Sequence, residues 1–462
     1  MNASGTHIDE PVTPAGRLFL QQDMLQVIHC IIRGTQPIDL AAVRSELADS
    51  VMIKHPRFCS LMVRDRHGRE HWRKTEIDLD QHLIVLEEPV GEGGDEQAVN
   101  DYVADLSVSS PLSPEKPLWE IHVLRAHKCA VFRLHHALGD GVSLMSMLLA
   151  GCRQADRPDE RPSIVSGVSK VNNGGGGGWG LGRVVSVAWW TVVFVVQMML
   201  RTLWVRDRRT AVSGGEGVEL WPRKLVTAKF RLDHMKAVKK AVPAATINDV
   251  LLGIVSSGLS RYLHIRSPKA LPEGLQITGL AMVNLRTLPR LQDLPDLMRG
   301  NSGLRWGNKF GIVLLPVHYH PRGDDPLQHV KRAKKMIDRK KQSLEAHFSY
   351  RLLNFLIACF GAKAASWLNY RVICNTSFTL SNLVGPSEEI MLAGNRITYV
   401  RVTNTSLPHA ITMHMMSYAG RAEMQILVAK DIIPDPEVLA RCFEDALLEM
   451  KEAAGASRLH VQ

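Results

Sequence analysis

The sequence contains no pair of cysteines separated by two residues, and its seven cysteines show no short-range pairing pattern. Because seven is an odd number, a disulfide framework is disfavoured and a reducing compartment is expected. The missing C-x-x-C spacing also disfavours a zinc site. Residues 1–16 lack a basic region followed by an apolar one, so they do not predict a secretory signal, and we expect the chain to begin in the cytosol.

The G-x-S-x-G sequence that surrounds many hydrolase nucleophiles is also absent, which disfavours a serine hydrolase. The chain has 462 residues, more than one ordinary domain, so two lobes with separate cores are expected. Hydrophobic residues make up 45% of the chain and charged residues 22%, which is typical of a folded globular protein and excludes global disorder.

The most informative sequence is His-His-Ala-Leu-Gly-Asp-Gly at residues 135–141, which follows an apolar segment at residues 129–134. This segment predicts a strand, and strand side chains alternate between faces. His136 should therefore face inward with the even-numbered strand residues, whereas His135 faces the other way. Opposite faces disfavour a shared metal ion and suit a buried general base, although a histidine on an apolar face is often only a core residue.

A turn at residues 139–141 leads into an apolar run at residues 142–150, which predicts a helix. Asp140 lies at the start of this helix. A carboxylate there can accept hydrogen bonds from first-turn amides, so Asp140 is expected to have a capping or structural role.

Five further blocks accompany the histidine motif along the chain. The blocks are Pro117-Leu118-Trp119, Asn248-Asp249, Asn284-Leu285-Arg286, Gly307-Asn308-Lys309-Phe310-Gly311 and Asn382-Leu383-Val384-Gly385-Pro386. Together they resemble the HHxxxDG acyltransferases, and among these the wax ester synthase/diacylglycerol acyltransferase family in its plant-like form. The last block departs from the commoner NVPGP-like form by an inserted leucine. The resemblance covers nearly the whole chain.

The resemblance implies an α/β fold, the two-lobed fold of acyl-CoA-dependent acyltransferases, with mixed sheets, flanking helices and an active site between the lobes. It also implies that His136, in the catalytic motif with His135 and Gly141, is the general base, and that Asp140 is structural. The substrate-binding or supporting residues that it implies are Asn248, Asp249, Asn284 and Arg286.

The resemblance further implies acyl-CoA as co-substrate, with no bound cofactor and no metal. A fatty alcohol or diacylglycerol would be the acceptor, giving wax ester or triacylglycerol. The D-F-G-W-G block of the related soluble plant acyltransferases is absent, which disfavours a phenylpropanoid or alkaloid acceptor. Two alternatives remain open: an inactive, membrane-associated lipid-binding protein, and an acyltransferase for another hydrophobic alcohol.

The chain divides into an N-terminal lobe at residues 1–153, a linking region at 154–220 and a C-terminal lobe at 221–462. The linking region begins with a polar stretch that includes five glycines at residues 174–178, which predicts a flexible linker. A phosphate-binding loop is disfavoured because no Lys-Ser/Thr follows the glycines and no strand precedes them.

The second part of the linking region, residues 184–200, is strongly apolar. As a helix it would cover roughly 25 Å at 1.5 Å per residue, just short of a bilayer core of about 30 Å. A single crossing would place His136 and Asn248 on opposite sides, so a helix lying in one leaflet is expected. A buried helix or tunnel wall is the alternative. We expect the cytosolic face of the endoplasmic reticulum membrane, or the plasma membrane, as the location.

The Asn248-Asp249 block opens a helical pattern that begins after Thr246. Thr246 and Asp249 have the spacing of an approximate capping box, so both block residues could simply serve the first turn. The family resemblance makes Asn248 a candidate for contact with substrate or with His136. Arg286 follows an apolar run at residues 275–283 and could pair with Asp140 across the lobes.

The chain carries a net charge of +10, and its basic residues concentrate at 331–341 in a helical pattern with one apolar side. A solvated helix face is the usual explanation of such a cluster. It could also attract anionic lipid head groups or the phosphates of coenzyme A. Nucleic acid is disfavoured because no recognised binding module accompanies the charge.

Overall fold

The computed structural model describes residues 9–162, 181–267, 271–286, 306–320 and 325–459. The glycines at 174–178, on which the linker prediction rests, lie outside these residues. The described chain forms three sheets and a set of α-helices that flank them.

The strands β1 to β16 are Glu10–Pro11, Val27–Gly34, Ser60–Arg64, Glu70–Lys74, Leu83–Leu86, Trp119–Leu124, Cys129–His135, Arg153–Gln154, Arg223–Arg231, Gln276–Asn284, Phe310–His318, Phe378–Val384, Ile390–Leu392, Asn395–Asn404, Ile411–Tyr418 and Arg421–Ala429. The α-helices α1 to α12 are Pro14–Phe19, Leu40–Asp49, Val51–Lys54, Leu79–His82, Asp95–Ser109, Gly141–Ala150, Leu181–Leu203, Leu232–Ala241, Ile247–Arg266, Pro326–Gln342, Glu345–Cys374 and Pro436–Leu459.

The first lobe is built on a seven-stranded sheet with the order β5-β6-β7-β2-β14-β13-β8. Strands β5 and β6 are parallel, whereas β7 pairs with β6 and β2 in antiparallel fashion. Helices α2, α3 and α6 cover one face of this sheet and α5 covers the other. Because both faces are covered, β7 is apolar along most of its length rather than on alternate residues only.

The second lobe is built on a six-stranded sheet with the order β11-β10-β12-β15-β16-β9. Strand β12 runs parallel to both β10 and β15, and the remaining pairs are antiparallel. One face packs on α8, α9, α10 and α12 to form the largest apolar core. Helix α9 begins as the sequence predicts, because the Thr246 and Asp249 side chains cap each other's backbone amides.

Two strands from the second half of the chain belong to the sheet of the first lobe. Strand β14 pairs with β2 in antiparallel register, and β13 joins β14 to β8. A division of the chain into lobes at residues 153 and 221 therefore assigns β13 and β14 to the second lobe, although they belong to the sheet of the first. The two-lobed α/β architecture with mixed sheets is confirmed.

Each of the two glycines in the Gly-Asn-Lys-Phe-Gly block is required by a different close contact. Gly307 has a φ of +104°, a left-handed conformation that glycine adopts without strain, and a Cβ there would lie 2.6 Å from Arg57 Nη1. A Cβ on Gly311 would lie 1.9 Å from the carbonyl oxygen of Ala346. The block therefore brings β11 close to both the first lobe and α11, with Asn308 between the two glycines.

Candidate active site

His136 lies directly after β7, at the point where the strand turns towards α6. Its backbone amide donates to the carbonyl oxygen of Gln26 at 2.8 Å, which extends the pairing of β7 with β2 by one residue. Its ring stacks on Phe19 of α1, with 4.1 Å between the ring centroids, and meets the edge of Phe310 at 6.1 Å. The imidazole is thus held between the ring of Phe19 on α1 and the ring of Phe310 on β11.

Asn308 fixes which nitrogen of His136 carries the proton. The Asn308 side-chain amide donates to the carbonyl oxygen of His136 at 2.8 Å, so its Oδ1 is the atom that faces the ring, 3.0 Å from Nδ1. An amide oxygen can only accept, so Nδ1–H donates and the lone pair lies on Nε2. No hydrogen bond from the described residues occupies Nε2.

Burial lowers the pKa of His136, and the Asp140 carboxylate and the bond to Asn308 oppose that effect only in part. The imidazole is therefore neutral near pH 7 and able to accept a proton. Neutrality and the free Nε2 are the two properties that a general base requires.

Asn308 belongs to the Gly-Asn-Lys-Phe-Gly block, but the sequence alone does not mark it as a site residue. Its place between two glycines was the available signal. Only the fold shows that this segment crosses to the first lobe and reaches His136.

His135 has a different environment. Its Nδ1 accepts the backbone amide of Ala137 at 3.1 Å, and its carbonyl oxygen accepts the amide of Leu138 at 2.9 Å. Burial lowers the pKa of His135 to about 3, so this ring is also neutral. The expectation that one histidine faces outward is wrong, because helices cover both faces of the sheet and both rings are buried. His135 shapes the turn that presents His136.

Asp140 is the N-cap of α6, as the sequence predicts, and its Oδ1 accepts the amide of Ser143 at 3.1 Å. Its Oδ2 accepts the amide of Lys309 at 3.0 Å and forms an ion pair with Arg286. The pairing of Asp140 with Arg286 across the lobes is therefore confirmed. Both side chains of the pair are almost completely buried, at 9% and 5% exposed.

Asn284 and Arg286 act together in this network. Asn284 Oδ1 accepts the backbone amide of Arg286 at 3.0 Å, and the Arg286 guanidinium also donates to the carbonyl oxygen of Gly307. Arg286 thus holds the segment that carries Asn308 against the motif helix. Gly141, the first residue of α6, lies close to Leu383, because a Cβ on this glycine would lie 3.7 Å from the leucine methyl groups.

Asn248 and Asp249 are separated from this network. Asp249 is fully buried and accepts the backbone amide and hydroxyl of Thr246, at 2.6 and 2.8 Å. Asn248 Oδ1 accepts a hydrogen bond from Asn382 at 2.7 Å, and no hydrogen bond in the described part of the chain joins Asn248 to His136. Contact between Asn248 and substrate stays a prediction.

An apolar cavity of about 150 Å³ lies beside the motif, between the first sheet and helices α2, α3 and α6. Leu134 and Gly141 line it at the motif, and the exposed residues Asp39 and Glu46 lie among its lining residues away from the motif. The apolar residues between them include Ile28, Cys30, Ile121, Val123, Ala130, Phe132, Met145 and Leu148. The cavity thus offers a hydrocarbon-lined space from the surface to the turn that carries His136.

His414 on β15 also belongs to this region, and the sequence reasoning missed it. Burial, together with the nearby His136, lowers the pKa of His414 to about 4. Its Nδ1 is buried without a hydrogen-bond partner. No local sequence signal marks this histidine, because it lies 278 positions after His136 in an unremarkable strand.

Within the described residues no group of three histidine, cysteine, aspartate or glutamate side chains could hold a metal ion. The described side chains of the site are neutral histidines, two asparagines and a buried ion pair, which offer acid–base and hydrogen-bonding chemistry.

Comparison with known proteins agrees with the geometry. Residues 24–251 match the wax ester synthase/diacylglycerol acyltransferase catalytic domain, and residues 306–451 match the WS/DGAT C-terminal domain. Wax ester synthase/diacylglycerol acyltransferase 2 of Arabidopsis thaliana is 35% identical and the alignment covers 98% of each chain. Wax ester synthase/diacylglycerol acyltransferase 4 of the same plant is 34% identical over 96% of this chain and 90% of its own.

Solved structures share the fold at lower identity. A wax ester synthase/diacylglycerol acyltransferase from Marinobacter aquaeolei VT8 is 20% identical, with a TM-score of 0.59 over 96% of this chain and all of the other. The starter condensation domain of rhizomide synthetase RzmA, solved in complex with C8-CoA, is 13% identical, with a TM-score of 0.53 over 97% of this chain and 95% of its own.

The Asp140–Arg286 pair generates a stability prediction. Arg286→Ala should lower the free energy of unfolding by about 3–5 kcal/mol, because it leaves the Asp140 carboxylate buried without its cation. Urea denaturation followed by tryptophan fluorescence measures this loss. The control, Arg231→Ala, removes an exposed ion pair with Asp233 and should leave the midpoint almost unchanged. Equal shifts in the two variants would contradict the assignment.

Proposed function

Because this chain belongs to the wax ester synthase/diacylglycerol acyltransferase family, we propose that His136 is the general base that activates an acceptor hydroxyl for attack on an acyl-CoA thioester. The enzyme is an acyltransferase. The observation that carries the role of His136 is its hydrogen bond to Asn308, which leaves Nε2 free to accept a proton. Asp140 and Arg286 hold Asn308 in place, and the Asp140 carboxylate also opposes the lowering of the His136 pKa by burial.

The proposed reaction is direct transfer. The acceptor oxygen attacks the thioester carbonyl carbon while its proton passes to Nε2 of His136, and the C–S bond then breaks. The proton moves from His136 to the departing coenzyme A sulfur, so the imidazole returns to its neutral state. General base catalysis of this kind contributes about 10²- to 10⁴-fold in rate. A thioester is already activated, so no covalent enzyme intermediate is required.

The acceptor that we propose is a fatty alcohol, diacylglycerol or both, which gives wax ester or triacylglycerol. The names of the plant relatives support both products. The apolar cavity beside the motif supports a long hydrocarbon substrate, because most of the side chains that line it are aliphatic or aromatic. We assign this cavity to the acyl chain of acyl-CoA.

The assignment of the base is tested with labelled palmitoyl-CoA and either hexadecanol or diolein. His136→Ala should reduce the rate of product formation by about 10²- to 10⁴-fold, because the hydroxyl proton loses its acceptor. The control His67→Ala changes an exposed histidine and should retain wild-type activity. Equal activity of His136→Ala and wild type would exclude this base, and a wild type without product on any acceptor would favour a lipid-binding protein.

The cavity assignment predicts a change in chain-length preference. Ala130 is half-buried on the cavity wall, so Ala130→Phe should fill the space with a ring. Activity on palmitoyl-CoA should fall about tenfold or more relative to octanoyl-CoA, since each excluded methylene costs about 0.8 kcal/mol of burial. Preference among alcohols of different length should be unchanged. A shift in alcohol preference instead would place the acceptor in this cavity.

Membrane association is the second part of the proposal, and its support is an exposed apolar surface on α7 and α11. Both helices are long and apolar enough to cross a membrane by length and composition, although α11 is kinked at Gly361, whose φ is +81°. Few of their residues are buried. Trp189 and Trp204 are 62% and 65% exposed, and Phe360 is 65% exposed. The other large exposed apolar residues here are Val185, Val192, Val196, Met199, Leu203, Phe355 and Trp367.

The same helices are fastened to the protein, which favours a helix lying in one leaflet over a spanning one. Phe194 of α7 is buried in a core shared with α1, β10 and α11. Arg201, near the end of α7, donates to the carbonyl oxygen of Asn375 at 2.8 Å and to the Thr278 hydroxyl at 2.7 Å. A spanning helix would have to leave these contacts.

Basic residues border this apolar surface. The Arg339 guanidinium of α10 lies 5.0 Å from the ring centre of Trp190 on α7. Exposed lysines and arginines continue along α10 at residues 331, 332, 335 and 341. We therefore propose binding to an anionic membrane surface, at the cytosolic face of the endoplasmic reticulum or at the plasma membrane.

Sedimentation with vesicles of phosphatidylcholine, alone or mixed with phosphatidylserine, tests the surface. Trp189→Ser and Phe360→Ser should each weaken binding about tenfold, since each removes a large apolar side chain from the bilayer. Lys335→Glu should weaken binding only to the anionic vesicles. Leu448→Ser, which changes an exposed leucine on α12, is the control. Unchanged binding of both aromatic variants would contradict the proposed surface.

A further inference from the structure

His414 lies in a polar row that crosses the sheet of the second lobe. In the strand register it is opposite Ser381 of β12 on one side and Gln425 of β16 on the other, and Gln425 is opposite Thr227 of β9. The Gln425 side chain donates to the Thr227 hydroxyl at 2.7 Å, so the far end of the row is linked. His414 forms no hydrogen bond with any described residue, and it is 9% exposed.

The face that carries His414 is turned towards the catalytic motif. Side chains two residues apart on a strand share a face, so Met416 points the same way as His414. Met416 packs with Met145 and Leu149 of the motif helix α6. Its register partner Leu383 lies beside Gly141. His414 therefore lies two residues along β15 from Met416, which packs with the motif helix.

An imidazole buried without a partner is costly. Leaving a buried donor or acceptor unpaired costs about 1–3 kcal/mol, which an apolar side chain at this position would not incur. His414 remains neutral at pH 7, because burial lowers its pKa to about 4. One of its nitrogens therefore carries a proton that no described residue accepts.

The reaction requires a donor at the thioester oxygen, where negative charge develops. The backbone amides of Ala137 and Leu138, which directly follow His136, are already used by His135. Asn248 is paired with Asn382. Among the described side chains on the motif-facing side of β15, His414 has a ring nitrogen that is buried without a hydrogen-bond partner.

We propose that His414 is a second catalytic histidine, which donates its N–H to the carbonyl oxygen of the acyl thioester. This role rests on the proposed function of His136. This hydrogen bond strengthens as the hydroxyl oxygen of the acceptor alcohol bonds to the carbonyl carbon and the thioester carbonyl oxygen becomes an oxyanion. It relaxes when the C–S bond breaks and the ester carbonyl forms. His414 neither gains nor loses a proton in the cycle, since the acceptor proton passes through His136 to sulfur.

Steady-state kinetics with palmitoyl-CoA and hexadecanol test this role. His414→Leu should lower kcat about 10²- to 10³-fold with little change in the KM for palmitoyl-CoA, because the lost interaction forms fully only in the transition state. His414→Gln keeps an N–H donor and should recover part of the rate. The thermal midpoint of His414→Leu should be at or above that of wild type, since an unpaired buried group is removed.

Thr412→Val is the matched control. Like His414, Thr412 carries a buried polar atom without a hydrogen-bond partner on the same face of β15. Removal of its hydroxyl should leave kcat unchanged. A kcat of His414→Leu within about twofold of wild type would overturn the role. Loss of thermal stability, with kcat and KM changed alike in the leucine and glutamine variants, would show a structural residue instead. Absence of transfer by wild type would overturn the proposed function first, so the two failures are distinguishable.

Discussion

The ion pair between Asp140 and Arg286 is the contact on which the site depends, because it joins the motif helix of one lobe to the segment that leaves the sheet of the other. Each partner makes further hydrogen bonds, Asp140 to two backbone amides and Arg286 to the carbonyl oxygen of Gly307. A buried pair is retained at acceptable cost only when its remaining atoms are satisfied in this way. The result is that Asn308 stands at a fixed distance from His136.

Burial suits both the proposed base and the proposed substrates. Burial holds the pKa values of His135, His136 and His414 low, and a hydrocarbon-lined cavity lies next to the motif. A neutral imidazole in such a place accepts a proton without competition from water. Lipid chemistry and a desolvated base therefore require one and the same environment, and the enzyme builds it with the two sheets and α6.

The exchange of β13 and β14 into the first sheet bears on the membrane. Since the second half of the chain contributes strands to the first lobe, the two lobes form one body and lie on the same side of any bilayer. Helix α7 connects them in the chain but lies against α11 on the outside. The exposed tryptophans and phenylalanine beside the basic helix α10 form the surface that we propose for membrane binding.

Local signals determined the parts of this protein that depend on neighbours in the chain. Alternating and continuous apolar runs predicted β7 and α6, and the spacing of Thr246 and Asp249 predicted the start of α9. The family blocks pointed to His136, Asp140 and Arg286, and to two α/β lobes. Only the tertiary structure decided that Asn308 orients the ring of His136, that His414 is buried near it without a hydrogen-bond partner, and that β14 crosses to the first sheet. These contacts join residues that are more than 100 positions apart, and their energies come from burial and hydrogen bonds that no local pattern records.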